Sequence, residues 1–214
     1  PKIDRTGEVG YNNNGEKMII VRCGDAKDIS VQFDDGTIVE HRTYDEFKTG
    51  RIKNPFFPIV YGVGFIGVGK FKTCDKNGKK TKCYMTWLNM LMRCYDPKRQ
   101  EKYPTYKGCT VCEEWWNFQN FAEWYYENYY EVENEIMTLD KDILHKSNKI
   151  YSANTCIFAP NSINVLFVKR VKERNYPIGV YKKDDKFKAC VMKDNKQIHL
   201  GLFTTPEEAF LAYK

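Results

Sequence analysis

Residues 179–213 read GVYKKDDKFKACVMKDNKQIHLGLFTTPEEAFLAY. Three runs, Gly179–Lys182, Phe187–Met192 and Gln197–Phe203, are separated by the turn sequences Lys183-Asp184-Asp185-Lys186 and Lys193-Asp194-Asn195. Short runs bounded by such polar turns read as three strands. Thr205-Pro206-Glu207-Glu208 then opens a helix, with a capping hydroxyl, a proline at the first helical position and two carboxylates in the first turn. Ala209, Phe210, Ala212 and Tyr213 begin its packing face, and with Lys214 only about three turns in, the natural helix is expected to run on. Together with the segments upstream, this strand-then-helix order predicts an α+β fold.

Two helices are expected in the middle of the chain. In Tyr84–Tyr95 the apolar positions 84, 87, 88 and 91 recur at helical spacing, and Pro97 stops the run. In Glu113–Tyr130, Trp115, Phe118, Ala122, Tyr125 and Tyr129 form one stripe, widened by Phe121 and Trp124, with Glu113 and Glu114 expected at the helix start. Aromatics so spaced could stack bases, but an acidic helix repels that ligand, so they read as core. Before these helices, Tyr61–Lys70 carries glycines at 62, 64, 67 and 69 without the spacing of a nucleotide-binding loop, and reads as a strand or linker. Lys70–Lys82 sets six lysines around an Asp75-Lys76-Asn77-Gly78 turn, a basic hairpin suited to phosphate contacts through Lys72, Lys76, Lys79, Lys80 and Lys82.

The first sixty residues read as a small SH3-like β-barrel. Turn signals recur at Asn12–Gly15, Cys23-Gly24-Asp25 and Asp34-Asp35-Gly36, with strand-like runs at Met18–Val21, Ile29–Phe33 and Thr37–Val39 between them. The expected domains are therefore 1–60 (β domain), 61–83 (glycine-rich strand and basic hairpin), 84–168 (central α+β region) and 175–214 (sheet and helix).

The whole chain has 214 residues and a net charge of +6, unevenly spread. Residues 61–110 hold eleven basic and three acidic side chains; 111–140 hold eight acidic and none basic; from 166 onward the balance is eleven to six in favour of basic. Such alternation predicts one side facing a polyanion and an acidic side turned away. No apolar run approaches a membrane span, and PKIDRTGEVG at the start lacks the apolar region of a signal peptide, so a cytoplasmic, intracellular protein without a membrane partner is expected. Eight cysteines scattered through the chain read as reduced thiols. Cys109 and Cys112 have zinc-knuckle spacing, which Cys94 and Cys156 could complete, but no second Cys-x-x-Cys exists. Structural Zn²⁺ is not expected. His41 and His199 read simply as strand residues.

The stretch from Gly179-Val180-Tyr181 through His199-Leu200-Gly201-Leu202-Phe203-Thr204-Thr205-Pro206-Glu207-Glu208-Ala209 to Ala212-Tyr213 resembles the AP2 domain over about 36 residues. The resemblance implies a three-stranded sheet laid in the major groove of double-stranded DNA, with Tyr181, Lys183, Lys186, Lys188 and Lys193 as contacts. That family often uses Arg and Trp for bases; lysines here favour phosphate contacts.

The centre resembles the phage HNH-type homing endonucleases. The segments that carry this are Trp87–Tyr95, Tyr106–Trp115, Leu139-Asp140-Lys141-Asp142, Asn148–Cys156 and Ala159–Asn164. The resemblance implies a ββα-metal unit, a hydrolase site for DNA phosphodiesters with Mg²⁺ or Mn²⁺ held by hard oxygen ligands. Asp140 and Asn164 fall at its two metal-ligand positions, and Asn154 at the asparagine that staples the loop. Lys141 stands where the family has its histidine base. A lysine is a poor base near neutral pH, and flanking Asp140 and Asp142 favour its ammonium form; it could instead bind phosphate, with His145 as an alternative base. Three functions stay open on the sequence: a metal-dependent DNA endonuclease, a non-catalytic DNA-binding protein on a degenerate nuclease fold, and an inhibitor binding a host protein through the acidic segment 113–140.

Overall fold

The computed structural model describes residues 3–167, 175–193 and 196–214. Two compact units, Pro1–Phe167 and Val168–Lys214, divide the chain, and each mixes helix with sheet, the α+β class expected. Among the described residues no helix is long and apolar enough to cross a membrane.

The first unit opens with an antiparallel meander of β1 (Val9–Tyr11), β2 (Lys17–Asp25), β3 (Asp28–Phe33) and β4 (Ile38–Arg42), in that spatial order. The barrel expected here does not close; β1 and β4 remain the two edges. A short helix, α1 (Tyr44–Lys48), covers the open side instead, with Phe47 so close to Gly10 on β1 that a Cβ there would sit 2.7 Å from the ring. Met18, Ile20, Ile29, Val31, Phe33 and Phe47 form the core of this sheet. The turn expected at Cys23–Asp25 falls two residues later, because β2 runs on to Asp25 and Arg22 bonds Asp28 across the pair at 2.8 and 2.9 Å.

The glycine-rich segment is a linker carrying isolated bridges from Gly64 to Val60 and from Phe65 to Asn117. Gly69 lies against the Gln119 side chain, whose amide accepts from Phe71 N and donates to Phe71 O, both at 3.0 Å. The basic segment closes as a hairpin with one bridge, Cys74 to Lys80, and the Asp75 carboxylate caps its turn by accepting from Asn77 N and Lys79 N.

Helix α2 (Lys82–Tyr95) is capped by Thr81 and ends at Asp96, whose side chain caps α3 (Pro97–Lys102). The single helix expected over 113–130 is two elements: a 3-10 turn, Glu113–Trp116, and α4 (Phe118–Asn128). Asn117 breaks them by accepting from Gln119 N at 2.9 Å, while Phe65 pairs with Trp116 O and Phe118 N. Its side chain competes for the backbone amide that a continuous helix would use. Glu113 and Glu114 thus precede the cap instead of lying in the first turn of α4. The aromatic stripe is core, as expected: Trp115, Phe118, Phe121 and Tyr125 are buried with Trp87, whose indole donates to Trp115 O at 2.7 Å.

The rest of this unit is a parallel pair, β5 (Thr110–Val111) with β7 (Ile150–Tyr151), and an antiparallel pair, β6 (Met137–Asp140) with β8 (Ile157–Pro160), followed by α5 (Asn161–Phe167).

In the second unit β9 (Val180–Lys183), β10 (Lys186–Lys193) and β11 (Lys196–Phe203) form an antiparallel sheet in the order β11-β10-β9, followed by α6 (Pro206–Tyr213). Val180, Ala189 and Ala209 are buried, with Phe187, Phe203 and Phe210 packed against them. Thr205 and Glu208 complete a reciprocal capping box. Gly179 sits at φ +79°, where a Cβ would run into the Tyr213 ring, so only glycine fits. The expected turn residues Asp194 and Asn195 lie outside the described residues.

Candidate ββα site and nucleic-acid interface

Strand β6 alternates. Leu139 points into the aromatic core opposite Phe158, so Thr138 and Asp140 share the other face. The Asn164 amide, on α5, donates to Thr138 Oγ1 at 3.2 Å, which brings it one pleat from Asp140 on that face. Asp140 Oδ1 accepts from Asp142 N and Ile143 N at 2.7 and 2.8 Å, fixing the turn after the strand.

Lys141 faces inward and is 5% exposed. Its ammonium donates to both oxygens of Asp142 at 2.8 Å and to Asn148 O at 2.6 Å, and stands 5.7 Å from the Tyr151 ring centre. All three protons of the ammonium are thereby accounted for, and Lys141 is geometrically a strut of the 141–148 loop. His145 lies on that loop with its side chain exposed.

Asn154, expected as the staple, is exposed on the turn at 152–155. The stapling bonds are made by Asn148: its amide donates to Lys141 O (3.0 Å) and Ile150 O (2.6 Å), and accepts from Ile150 N (3.1 Å). Sequence reading missed it, although an asparagine next to Ser147, which itself takes φ +63°, is a turn signal of the kind that supplies such bonds.

Asp140 and Asn164 give two oxygen-bearing side chains on one face. Mg²⁺ is commonly held by one or two carboxylates with water and phosphate completing its shell, so the pair fits that ion in donor chemistry. Among the described residues no three His, Cys, Asp or Glu side chains converge as metal ligands. Cys94 and Cys156 are buried and burial pushes both thiols up to about 12; burial likewise takes half-buried Cys112 up to about 11. They sit as neutral thiols in the core.

The lysines expected on DNA divide into two sets. Lys72, Lys76, Lys79 and Lys80 on the hairpin are exposed, and among the described residues none has a carboxylate within ion-pair distance. Lys82 starts α2 and is tied to Glu131 at 2.7 Å. Within the acidic segment Glu113, Glu114, Glu123, Glu127, Glu131 and Glu133 are exposed.

In the C-terminal sheet, cross-strand partners share a face. Lys188 pairs with Tyr181 on one side and Leu202 on the other, and Lys183 pairs with Lys186 in the next row. These side chains lie opposite Val180, Phe187, Ala189 and Phe203, the residues that α6 covers. Past a bulge between Ala189 and Cys190, the next row on β10 pairs Cys190, itself buried, with His199, and the row after it pairs Met192 with Gln197. Tyr181, Leu202 and Met192 are 54%, 45% and 63% exposed. Lys193 pairs with Lys196 at the hairpin end, in the alternation of the helix-side residues.

No protein-family model, curated protein or solved structure matches the chain.

Proposed function

We propose that this chain binds double-stranded DNA, with its C-terminal sheet in the major groove and its β6–β8–α5 unit against the phosphate backbone. The observation that carries this is the open outer face of the sheet, where Tyr181, Lys183, Lys186 and Lys188 stand clear of the helix-covered core. Three strands about 4.8 Å apart make a ribbon about 10 Å across, which a major groove about 12 Å wide accepts. The hairpin lysines 72, 76, 79 and 80 add a second phosphate-binding element, and the acidic segment 113–140 is turned from DNA by repulsion. Anisotropy titration of a labelled duplex across a salt series tests this. Binding should weaken steeply with salt, by about 0.9 in log–log slope per phosphate neutralised. Alanine at Lys183, Lys186 and Lys188 together should flatten that slope; absence of binding at low salt overturns the reading and turns attention to a protein partner for the acidic face.

A second reading, metal-dependent phosphodiester hydrolysis, is favoured by Asp140 and Asn164 lying on one face of a hairpin-and-helix unit. Mg²⁺ or Mn²⁺ bound there would offset phosphate charge and lower the pKa of a bound water. Lys141, already donating to Asp142 and Asn148, is no proton acceptor, which leaves His145 for that part. Supercoiled plasmid with either metal, beside Asp140→Ala and His145→Ala, decides it. Nicking lost in Asp140→Ala supports hydrolysis; intact salt-sensitive binding without nicking leaves a binder on a nuclease-like scaffold.

A further inference from the structure

We propose that the outer face of the C-terminal sheet reads A·T base pairs, with Leu202 and Met192 against thymine methyl groups and Gln197 on adenine. The inference rests on the DNA-binding reading above and adds the base class to it. Among its described residues the face has no arginine, the forked donor that fits guanine O6 and N7, and its lysines 183, 186 and 188 are the ones assigned above to phosphate. It offers instead Leu202, 45% exposed beside Lys188, and Met192, 63% exposed and paired with Gln197. Exposed apolar side chains on a solvent-facing sheet are costly to leave in water, and lysines 183, 186 and 188 between them favour a polyanion as the surface that covers them. In the major groove the thymine C5-methyl is the one apolar group a base pair presents, and a glutamine amide matches adenine N6 and N7. Gln197 sits in the same cross-strand row as Met192, so a single A·T pair can satisfy both partners.

The spacing sets a second expectation. Lys188, beside Leu202, is four residues from Met192 along β10, about 13 Å at 3.3 Å per residue. At about 3.4 Å per base pair, the two methyl contacts fall about four base pairs apart.

The experiment compares the full chain on three duplexes of equal length: alternating dA·dT, the same with deoxyuridine for every thymidine, and alternating dG·dC. Deoxyuridine removes the methyl and keeps every base-pair hydrogen bond. The dA·dT duplex should bind tightest, and deoxyuridine should weaken binding about fourfold per lost methyl contact. Leu202→Ala and Met192→Ala should each shrink the thymidine-to-deoxyuridine ratio while leaving the salt slope unchanged. Salt-sensitive binding that is equal on the thymidine and deoxyuridine duplexes overturns this inference and leaves DNA binding standing. Failure to bind any of the three at low salt overturns both.

Discussion

Asn148 and Lys141 hold the loop beside the candidate site through one reciprocal set of bonds. Lys141 donates to Asn148 O while the Asn148 amide donates back to Lys141 O. Asn148→Ala removes two donated bonds and one accepted bond and should destabilise the protein by about 1–3 kcal/mol, read from the denaturant midpoint at unchanged m-value. Away from the site, Asp28 shows how an exposed charge cluster behaves. Its carboxyl is drawn down to about 2 from 3.8, first by the hydrogen bonds from Arg22 and then by His41. A depressed folded-state value means that this contribution is present above the unfolded value and is lost as pH falls through the folded one. The Asp28 side-chain carbon resonance should therefore titrate with a midpoint near pH 2, and that midpoint should move back up in Arg22→Ala.

Helices α2, α4 and α6 each start on a side-chain cap: Thr81 for α2, Asn117 for α4, Thr205 for α6. The last of these matters most, because α6 is the helix that covers the inner face of the sheet. Thr205→Ala removes the half of the capping box in which the Thr205 hydroxyl accepts from Glu208 N, and should cost about 1 kcal/mol. The loss should appear as faster hydrogen exchange in α6 and its sheet, with the amides of α2 and α4 unchanged. At the same scale Asn117 explains why periodicity alone overextended a helix. The aromatic stripe continues through residues 113–130, but the backbone at Trp116 and Phe118 is bonded to Phe65.

The two units differ in how much core each possesses. Sixteen buried side chains, from Cys83 to Phe158, form the central cluster, whereas Val180, Ala189, Cys190 and Ala209 are the buried side chains described for the C-terminal sheet and helix. Local opening free energy follows buried apolar contact. Native-state hydrogen exchange should thus show β9–β11 opening well before α2 and α4, and added DNA should slow exchange in β9–β11. An order of exchange with α2 and α4 first would contradict this division of stability.

What the sequence determined by itself was local. Alternation and turn residues marked β3 and the three C-terminal strands, Thr205-Pro206 marked the start of α6, and helical spacing marked α2 and the aromatic face of α4, because each depends on neighbours within a few positions. Tertiary structure decided the rest. Whether four N-terminal strands closed a barrel depended on Phe47 finding Gly10 across 37 positions. Which asparagine stapled the loop depended on where Lys141 O and Ile150 O came together, and Asn148 was the one within reach. Lys141 became a strut because the fold turned its ammonium inward to Asp142 and Asn148 O, a direction that pairing, unlike composition, fixes. Leu202 and Met192 read as ordinary strand apolars until cross-strand register set them beside Lys188 and Gln197 on the uncovered face.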